Sequence, residues 1–143
     1  MISRHLLSAY LAAALGMVSL TANAQTLNLG TLPVLPALPL TGSVSDPMGA
    51  INDTLNFSFP SGARFASAGI ANFPVKLGSG NLYDIAGLSA TLYNGFNESG
   101  SVIGPLNTIT PGVLQGSGSL TPGNYSFLVT GTASGSAGGF VCL

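Results

Sequence analysis

Charged side chains are scarce in this sequence of 143 residues. Only 3 are Lys or Arg and 4 are Asp or Glu, which gives a charged fraction of 5% and a net charge of −1. A soluble domain usually has about 25% charged residues. Such a chain has no basic stripe for nucleic-acid phosphates and no polybasic patch for a membrane surface, so we expect no nucleic-acid partner. The near absence of Glu, Lys and Arg also excludes a coiled coil or helical bundle.

The first 24 residues have the three parts of an export signal. Arg4 supplies a positive start, a mostly apolar run covers residues 6–20, and Ala22-Asn23-Ala24 is the small-x-small motif that signal peptidases recognise. A helix over that run would span about 22 Å, less than the roughly 30 Å of a hydrocarbon core. The sequence therefore predicts a signal-peptide helix, export through the Sec pathway, cleavage between Ala24 and Gln25, and no membrane insertion of the mature chain.

The predicted mature chain has few chemically reactive side chains. Cleavage after Ala24 would remove His5, the single histidine, and the single cysteine is Cys142. Without a histidine base, a Ser or Cys nucleophile has no ordinary activating partner, and a structural zinc site has no ligands. We expect no enzyme, no catalytic residue and no cofactor. Asp53, the one charge on an apolar strand face, is expected to be hydrogen-bonded by backbone N–H groups or by a hydroxyl of a neighbouring loop. Calcium remains open as the alternative, with Asp53 as the candidate ligand and Asp46 or Asp84 approaching it in the fold.

A lone cysteine cannot form a disulfide within the chain. Cys142 stands second from the C-terminus of the sequence. It is either an incidental thiol at a frayed end or a link between two chains, in a Cys142-linked dimer.

Apolar and polar residues alternate with the period of β-strands. In residues 51–59 every odd position except Asp53 is apolar and every even position is polar, which predicts one buried face and one wet face. The Gly-rich segment 131–139 is expected to form a flexible or tightly turned edge. Other candidate strands are Pro39–Ser45, Arg64–Ala71, Phe73–Leu77, Leu88–Tyr93, Ser101–Ile109, Val113–Leu120 and Tyr125–Thr130.

Turn residues recur about every ten positions, which favours an all-β fold: an antiparallel β-sandwich, jelly-roll-like. Residues 25–40 contain P-x-x-P repeats. They are typical of an extended lead-in, although a polyproline ligand has the same pattern. The predicted organisation is a signal peptide over residues 1–24, a Pro-rich lead-in over 25–40 and a β-sandwich domain over 41–143.

Three segments occur in an order that resembles a known family. They are Ile51–Phe59, Gly87–Tyr93 and the run from Gly118 through Leu120-Thr121-Pro122-Gly123-Asn124-Tyr125 to Gly135, followed by Gly138-Gly139-Phe140. The pattern resembles the FxDxA group of bacterial PEP-CTERM exported proteins and, more loosely, bacterial pre-peptidase C-terminal β-sandwich domains. Ile51 stands where the family has Phe, and no Pro-Glu-Pro sorting tail is present. The resemblance implies a Gram-negative bacterium and a periplasmic or extracellular location.

Two classes of function follow. The first is a non-catalytic envelope or extracellular-matrix protein, with exopolysaccharide or other envelope proteins as partners. The second is a module that binds extracellular glycan or protein through loop residues. The residues that the sequence offers for such a binding surface are Tyr83, Asp84, Tyr93, Asn94 and Phe96.

Overall fold

Strands make up most of the chain that the computed structural model describes, namely residues 23–32, 40–61 and 66–143. The predicted signal-peptide helix lies outside these residues. The strands are β1 (Thr26–Thr31), β2 (Ser43–Asp46), β3 (Gly49–Phe59), β4 (Ala66–Asn72), β5 (Val75–Leu77), β6 (Gly80–Tyr83), β7 (Ile85–Asn94), β8 (Val102–Pro105), β9 (Asn107–Thr110), β10 (Val113–Gly118), β11 (Gly123–Ala133) and β12 (Gly139–Cys142). One short 3-10 turn covers Phe96–Glu98. In these described ranges no helix is long and apolar enough to cross a membrane.

Ten of the strands form two five-stranded sheets. Sheet 1 has the order β1-β3-β11-β7-β8, sheet 2 has the order β2-β12-β4-β10-β9, and β5 and β6 form a separate hairpin. Strands β3 and β11 pair along their full lengths, from Gly49 opposite Ala133 to Phe59 opposite Gly123. Neighbouring strands pair antiparallel except β1, which runs parallel to β3.

The inward faces of the two sheets share one apolar core, which confirms the predicted all-β sandwich. Sheet 1 contributes Leu55, Phe57 and Phe127, and sheet 2 contributes Ile70 and Leu114. The ring of Phe57 stacks on those of Tyr125 and Phe127. This burial of apolar surface is the main favourable term for folding.

The prediction of a wet outer face on β3 is wrong at two positions. Thr54 and Asn56 point away from the core, yet both are buried. The 3-10 turn covers them: Thr54 Oγ1 donates to Glu98 Oε1 at 2.7 Å, and Asn56 Nδ2 donates to Asn97 Oδ1 at 2.8 Å. Ser126 completes this polar layer, since its hydroxyl accepts from the Glu98 N–H at 2.9 Å. Alternation alone does not show that a later loop folds back over a polar face.

Of the two forms expected for the Gly-rich segment, flexible or tightly turned, the structure shows the tight turn. Its first part belongs to β11, Gly135 and Gly138 form a bridge across a turn, and its end opens β12 inside sheet 2. Gly138 has a φ of 109°, and a Cβ there would overlap the carbonyl oxygen of Asp46. Only glycine satisfies both conditions, so this residue fixes how β12 approaches β2.

Both ends of the described chain are included in the sheets. Strand β1 lies ahead of the domain boundary predicted at residue 41, in the segment predicted as a lead-in. Cys142 is half-buried in β12, opposite Ser43 and Ala71, and is not at a frayed end.

Candidate functional site

Three aromatic side chains meet on the outer face of sheet 2. The ring centroid of Phe140 lies 6.4 Å from that of Phe73 and 6.5 Å from that of Tyr83, both edge-on. With Ser45 and Val75 they line an open groove of about 320 Å³, which we call the aromatic groove. Phe73 is 57% exposed, so one face of the cluster is available to a ligand.

Strand alternation explains why the groove is there. Phe140 pairs with Ser45, and its neighbour Val141 is buried in the core. Since successive side chains of a strand point to opposite faces, Phe140 must point outward. The β5–β6 hairpin then places Val75 opposite Tyr83 beside it.

Asp84 adjoins the groove, and its carboxylate is saturated with donors. Oδ1 accepts from Asn72 Nδ2 and from the Ile85 N–H, each at 2.9 Å, and Oδ2 accepts from Asn81 Nδ2 at 2.7 Å. The Asp84 carbonyl oxygen also accepts from the Ser134 N–H at 2.9 Å. This residue joins β4, the β5–β6 hairpin and β7.

The predicted binding residues do not form one surface. Tyr83 and Asp84 lie just before β7, whereas Tyr93 and Asn94 close β7 and Phe96 follows in the 3-10 turn. Strand β7 has ten residues and is therefore about 30 Å long, so the two groups lie near its opposite ends. Phe96 is 38% exposed. The aromatic groove therefore contains Tyr83 together with Phe73 and Phe140, which the sequence did not suggest because the three residues come from separate strands and loops.

A second site lies where the edge strands β1 and β2 approach each other. Asp53 of β3 and Asp46 of β2 are 1% and 2% exposed. Gln25 links them: its backbone N–H donates to Asp53 Oδ1 at 2.9 Å, and its Nε2 donates to Asp46 Oδ1 at 3.0 Å and to the Ser45 carbonyl at 2.7 Å. We call Gln25, Asp46 and Asp53 the edge cluster.

The edge cluster has fewer donors than its oxygens require. Asp46 Oδ2 and Asp53 Oδ2 are both buried and accept no hydrogen bond from an N–H or hydroxyl group. Burial raises the pKa of Asp53 to about 7, and the charge and hydrogen bonding of Asp46 act in the same direction. The hydrogen bond from Gln25 opposes this shift. Two carboxyl groups that share a site cannot both ionise easily.

The sequence analysis pointed to Asp53 and left open whether Asp46 or Asp84 approaches it, and the structure places Asp46 there. In β2, Val44 and Asp46 alternate with the exposed Ser43 and Ser45, which places Asp46 on the core face beside an apolar residue. Among the described residues no three His, Cys, Asp or Glu side chains form a group that could hold a metal ion. The calcium candidate Asp53 therefore has one carboxylate neighbour, Asp46.

Comparison with known proteins gives likeness of structure only. No protein-family model and no curated protein matches the chain. Among solved structures, it is similar to the pre-peptidase C-terminal domain of a collagenase from Bacillus anthracis, with 14% identity, a TM-score of 0.47, and coverage of 84% of this chain and 93% of that one. It is also similar to PliG of Aeromonas hydrophila, a periplasmic inhibitor of g-type lysozyme, with 10% identity, a TM-score of 0.34, and coverage of 84% and 96%.

These findings bear on the resemblance noted from the sequence in two ways. A pre-peptidase C-terminal domain is among the matched structures, at low identity. The FxDxA group of PEP-CTERM proteins finds no support in any comparison.

Proposed function

We propose that this protein is an exported, non-catalytic component of a bacterial envelope or extracellular matrix. The proposal rests on one observation, which is that the carboxylates of this protein take part in hydrogen bonds within the fold. Each of the four accepts a hydrogen bond from the fold: Asp46 and Asp53 from Gln25, Asp84 from three donors, and Glu98 from Thr54. The carboxylates, which could otherwise act as general acids or bases, thus each help to hold strands and loops together.

Location is tested by expressing the complete gene in a Gram-negative host and fractionating the cells. We expect the protein in the periplasm or medium, with an N-terminus at Gln25. A chain that begins at Met1 in a membrane fraction would contradict export with cleavage. Sedimentation with envelope or exopolysaccharide material, compared with sedimentation after that material is digested, tests the matrix role.

The aromatic groove favours a second candidate, a module that binds extracellular glycan. The exposed ring of Phe73, supported edge-on by Phe140, offers a flat apolar surface on which the apolar face of a sugar ring can pack. The exposed Ser45 beside it supplies a hydroxyl. Concave apolar surfaces with a few polar groups are the usual form of a binding site.

A matched pair of substitutions tests this candidate. Phe73→Ala removes the exposed ring of the groove, and Phe96→Ala removes an exposed ring from the 3-10 turn. If the groove binds envelope polysaccharide, Phe73→Ala should weaken retention in affinity electrophoresis by about tenfold, equivalent to about 1.4 kcal/mol. Phe96→Ala should leave retention unchanged. Equal losses in both variants, or no retention of the wild type, would count against a glycan site here.

A further inference from the structure

The edge cluster combines a shortage of donors with a backbone nitrogen at the predicted cleavage site. The Gln25 nitrogen lies 2.9 Å from Asp53 Oδ1. Two further carboxylate oxygens, Asp46 Oδ2 and Asp53 Oδ2, are buried and accept no hydrogen bond from an N–H or hydroxyl group. While Gln25 is joined to Ala24 by a peptide bond, its nitrogen carries one hydrogen and no charge, so it can satisfy only one of these oxygens.

Hydrolysis of the Ala24–Gln25 bond changes this nitrogen in place. Water adds across the amide, Ala24 leaves with a carboxylate, and the Gln25 nitrogen becomes an α-ammonium group with three N–H donors and a positive charge. We propose that this cleavage creates the cation that the Asp46–Asp53 carboxyl pair binds, so that export processing completes the fold. The inference rests on the proposed export and names the chemical consequence of its cleavage.

Water can take the place of Asn23, which departs with the signal peptide. Asn23 accepts from the Asn52 N–H and donates to the Ala50 carbonyl, both at 2.8 Å, and its side chain donates to the Pro47 carbonyl at 3.1 Å. Asn52 and Pro47 are exposed and Ala50 is half-buried, so water can reach the backbone groups that Asn23 leaves. The gain is at buried oxygens, where an unpaired polar group costs most.

The charges around the cluster favour a cation. Of the strands packed against Asp53, β1 has no titratable side chain, β2 has only Asp46, β11 has Tyr125 and β12 has Cys142. Tyr125 lies opposite Phe57, four residues from Asp53, and Cys142 lies opposite Ser43 at the far end of β2 from Asp46. Within the described residues the only side-chain cation is Lys76, in the β5–β6 hairpin. An α-ammonium therefore meets two acidic groups and no competing charge on these strands.

The Gln25 side chain provides an independent readout. An unprotonated N-terminal glutamine cyclises when its α-nitrogen attacks the side-chain amide carbon and expels ammonia. Here the amide is held by Ser45 and Asp46, and a carboxylate pair would keep the nitrogen protonated. Mass spectrometry should find intact Gln25 in the exported wild type and an increased cyclised fraction in Asp53→Asn.

The decisive experiment moves the ammonium by one residue. Inserting an alanine between Ala24 and Gln25 leaves the Ala22-Asn23-Ala24 motif intact, and shifts the new terminus about 3.3 Å along the chain. Both exported proteins are compared with their Asp53→Asn forms by thermal unfolding at pH 7.5, after N-terminal sequencing. We expect Asp53→Asn to lower the melting temperature of the wild type, because it removes the partner of the ammonium. In the inserted protein it should raise the melting temperature, because it removes a buried charge that has no cation.

The outcomes separate this inference from the proposed function. A Gln25 terminus with the same sign of change in both backgrounds would overturn the ammonium pairing and leave export standing. A terminus at Met1 or Asn23 would overturn the pairing, and Met1 would also contradict export. If Asp53→Asn does not fold in one background, Asp46→Asn serves in its place with the same expected reversal of sign.

Discussion

The half-buried Asp84 and the buried Asp53 differ in how many hydrogen bonds their carboxylates accept. Asp84 accepts three hydrogen bonds, two of them from residues within three positions in the sequence. Asp53 accepts one, from Gln25, and its second oxygen meets no N–H or hydroxyl donor. The two carboxylates therefore differ in the number of donors that reach them.

Local backbone geometry explains the difference. Asp84 stands in the one-residue link between β6 and β7, where the chain turns and neighbouring donors can reach it. Asp53 lies in the middle of β3, where the backbone N–H groups of both neighbouring strands are engaged in the sheet. A carboxylate in a strand interior depends on distant donors, and the donor of Asp53 is the Gln25 N–H, 28 positions away in the sequence.

The largest expected effect is the pH dependence that Asp53 produces while the Gln25 nitrogen is a peptide nitrogen. Its pKa of about 7 lies above the ordinary value of 3.8, so the folded state binds more protons than the unfolded state between these pH values. The free energy of unfolding should therefore fall as pH rises from about 4 to 7, by up to roughly 4 kcal/mol. Urea unfolding of the alanine-inserted protein, as the difference from its Asp53→Asn form, measures this change. A difference that rises with pH would contradict it.

The second-largest effect is expected when the Asp84 carboxylate is removed. Asp84→Ala leaves the Ile85 N–H without its acceptor in a half-buried site, and leaves the Asn72 amide only its longer hydrogen bond to the Ile85 carbonyl, at 3.3 Å. We expect the free energy of unfolding to drop by about 2–3 kcal/mol, since each unpaired donor costs about 1–3 kcal/mol and part of this is recovered by water. Asp84→Asn, which keeps a carbonyl oxygen, should lose less. Equal losses for the two variants would show that packing matters here and acceptor capacity does not.

A smaller effect should follow when one donor of Asp84 is removed. Asn81 is exposed, and its amide meets Asp84 Oδ2 at 2.7 Å. Water can replace that donor, so Asn81→Ala should lower the free energy of unfolding by about 0.5–1.5 kcal/mol. Denaturant unfolding beside Asp84→Ala checks the order of the two losses. Asn81→Ala as costly as Asp84→Ala would show that the hairpin itself depends on this contact.

The sequence could predict that Asp53 is buried, but not which groups surround it. Alternation in β3 placed Asp53 among apolar neighbours, and alternation in β2 could have placed Asp46 there too. The joint contact of the two carboxyl groups with Gln25 could not be predicted, because it depends on β1 docking parallel to β3 and on the packing of β2, from the other sheet, beside it. Similarly, the aromatic groove depends on which strands become neighbours in sheet 2, and periodicity carries no information on strand order.

The smallest expected effect is that of calcium. Calcium takes six to eight oxygen ligands, whereas the edge cluster offers the carboxylates of Asp46 and Asp53 beside a Ser45 carbonyl that already accepts from Gln25. An α-ammonium on the same oxygens would also repel a divalent cation. A site that bound calcium with a Kd one hundredth of the concentration used would stabilise the fold by about 2.7 kcal/mol, which thermal unfolding detects easily. We expect the melting temperature of the exported protein to be the same in calcium and in chelator. A melting temperature that chelator lowers in the wild type and leaves unchanged in Asp53→Asn would show that the carboxyl pair binds calcium, and that the shortage of donors at Asp53 is met by a metal ion.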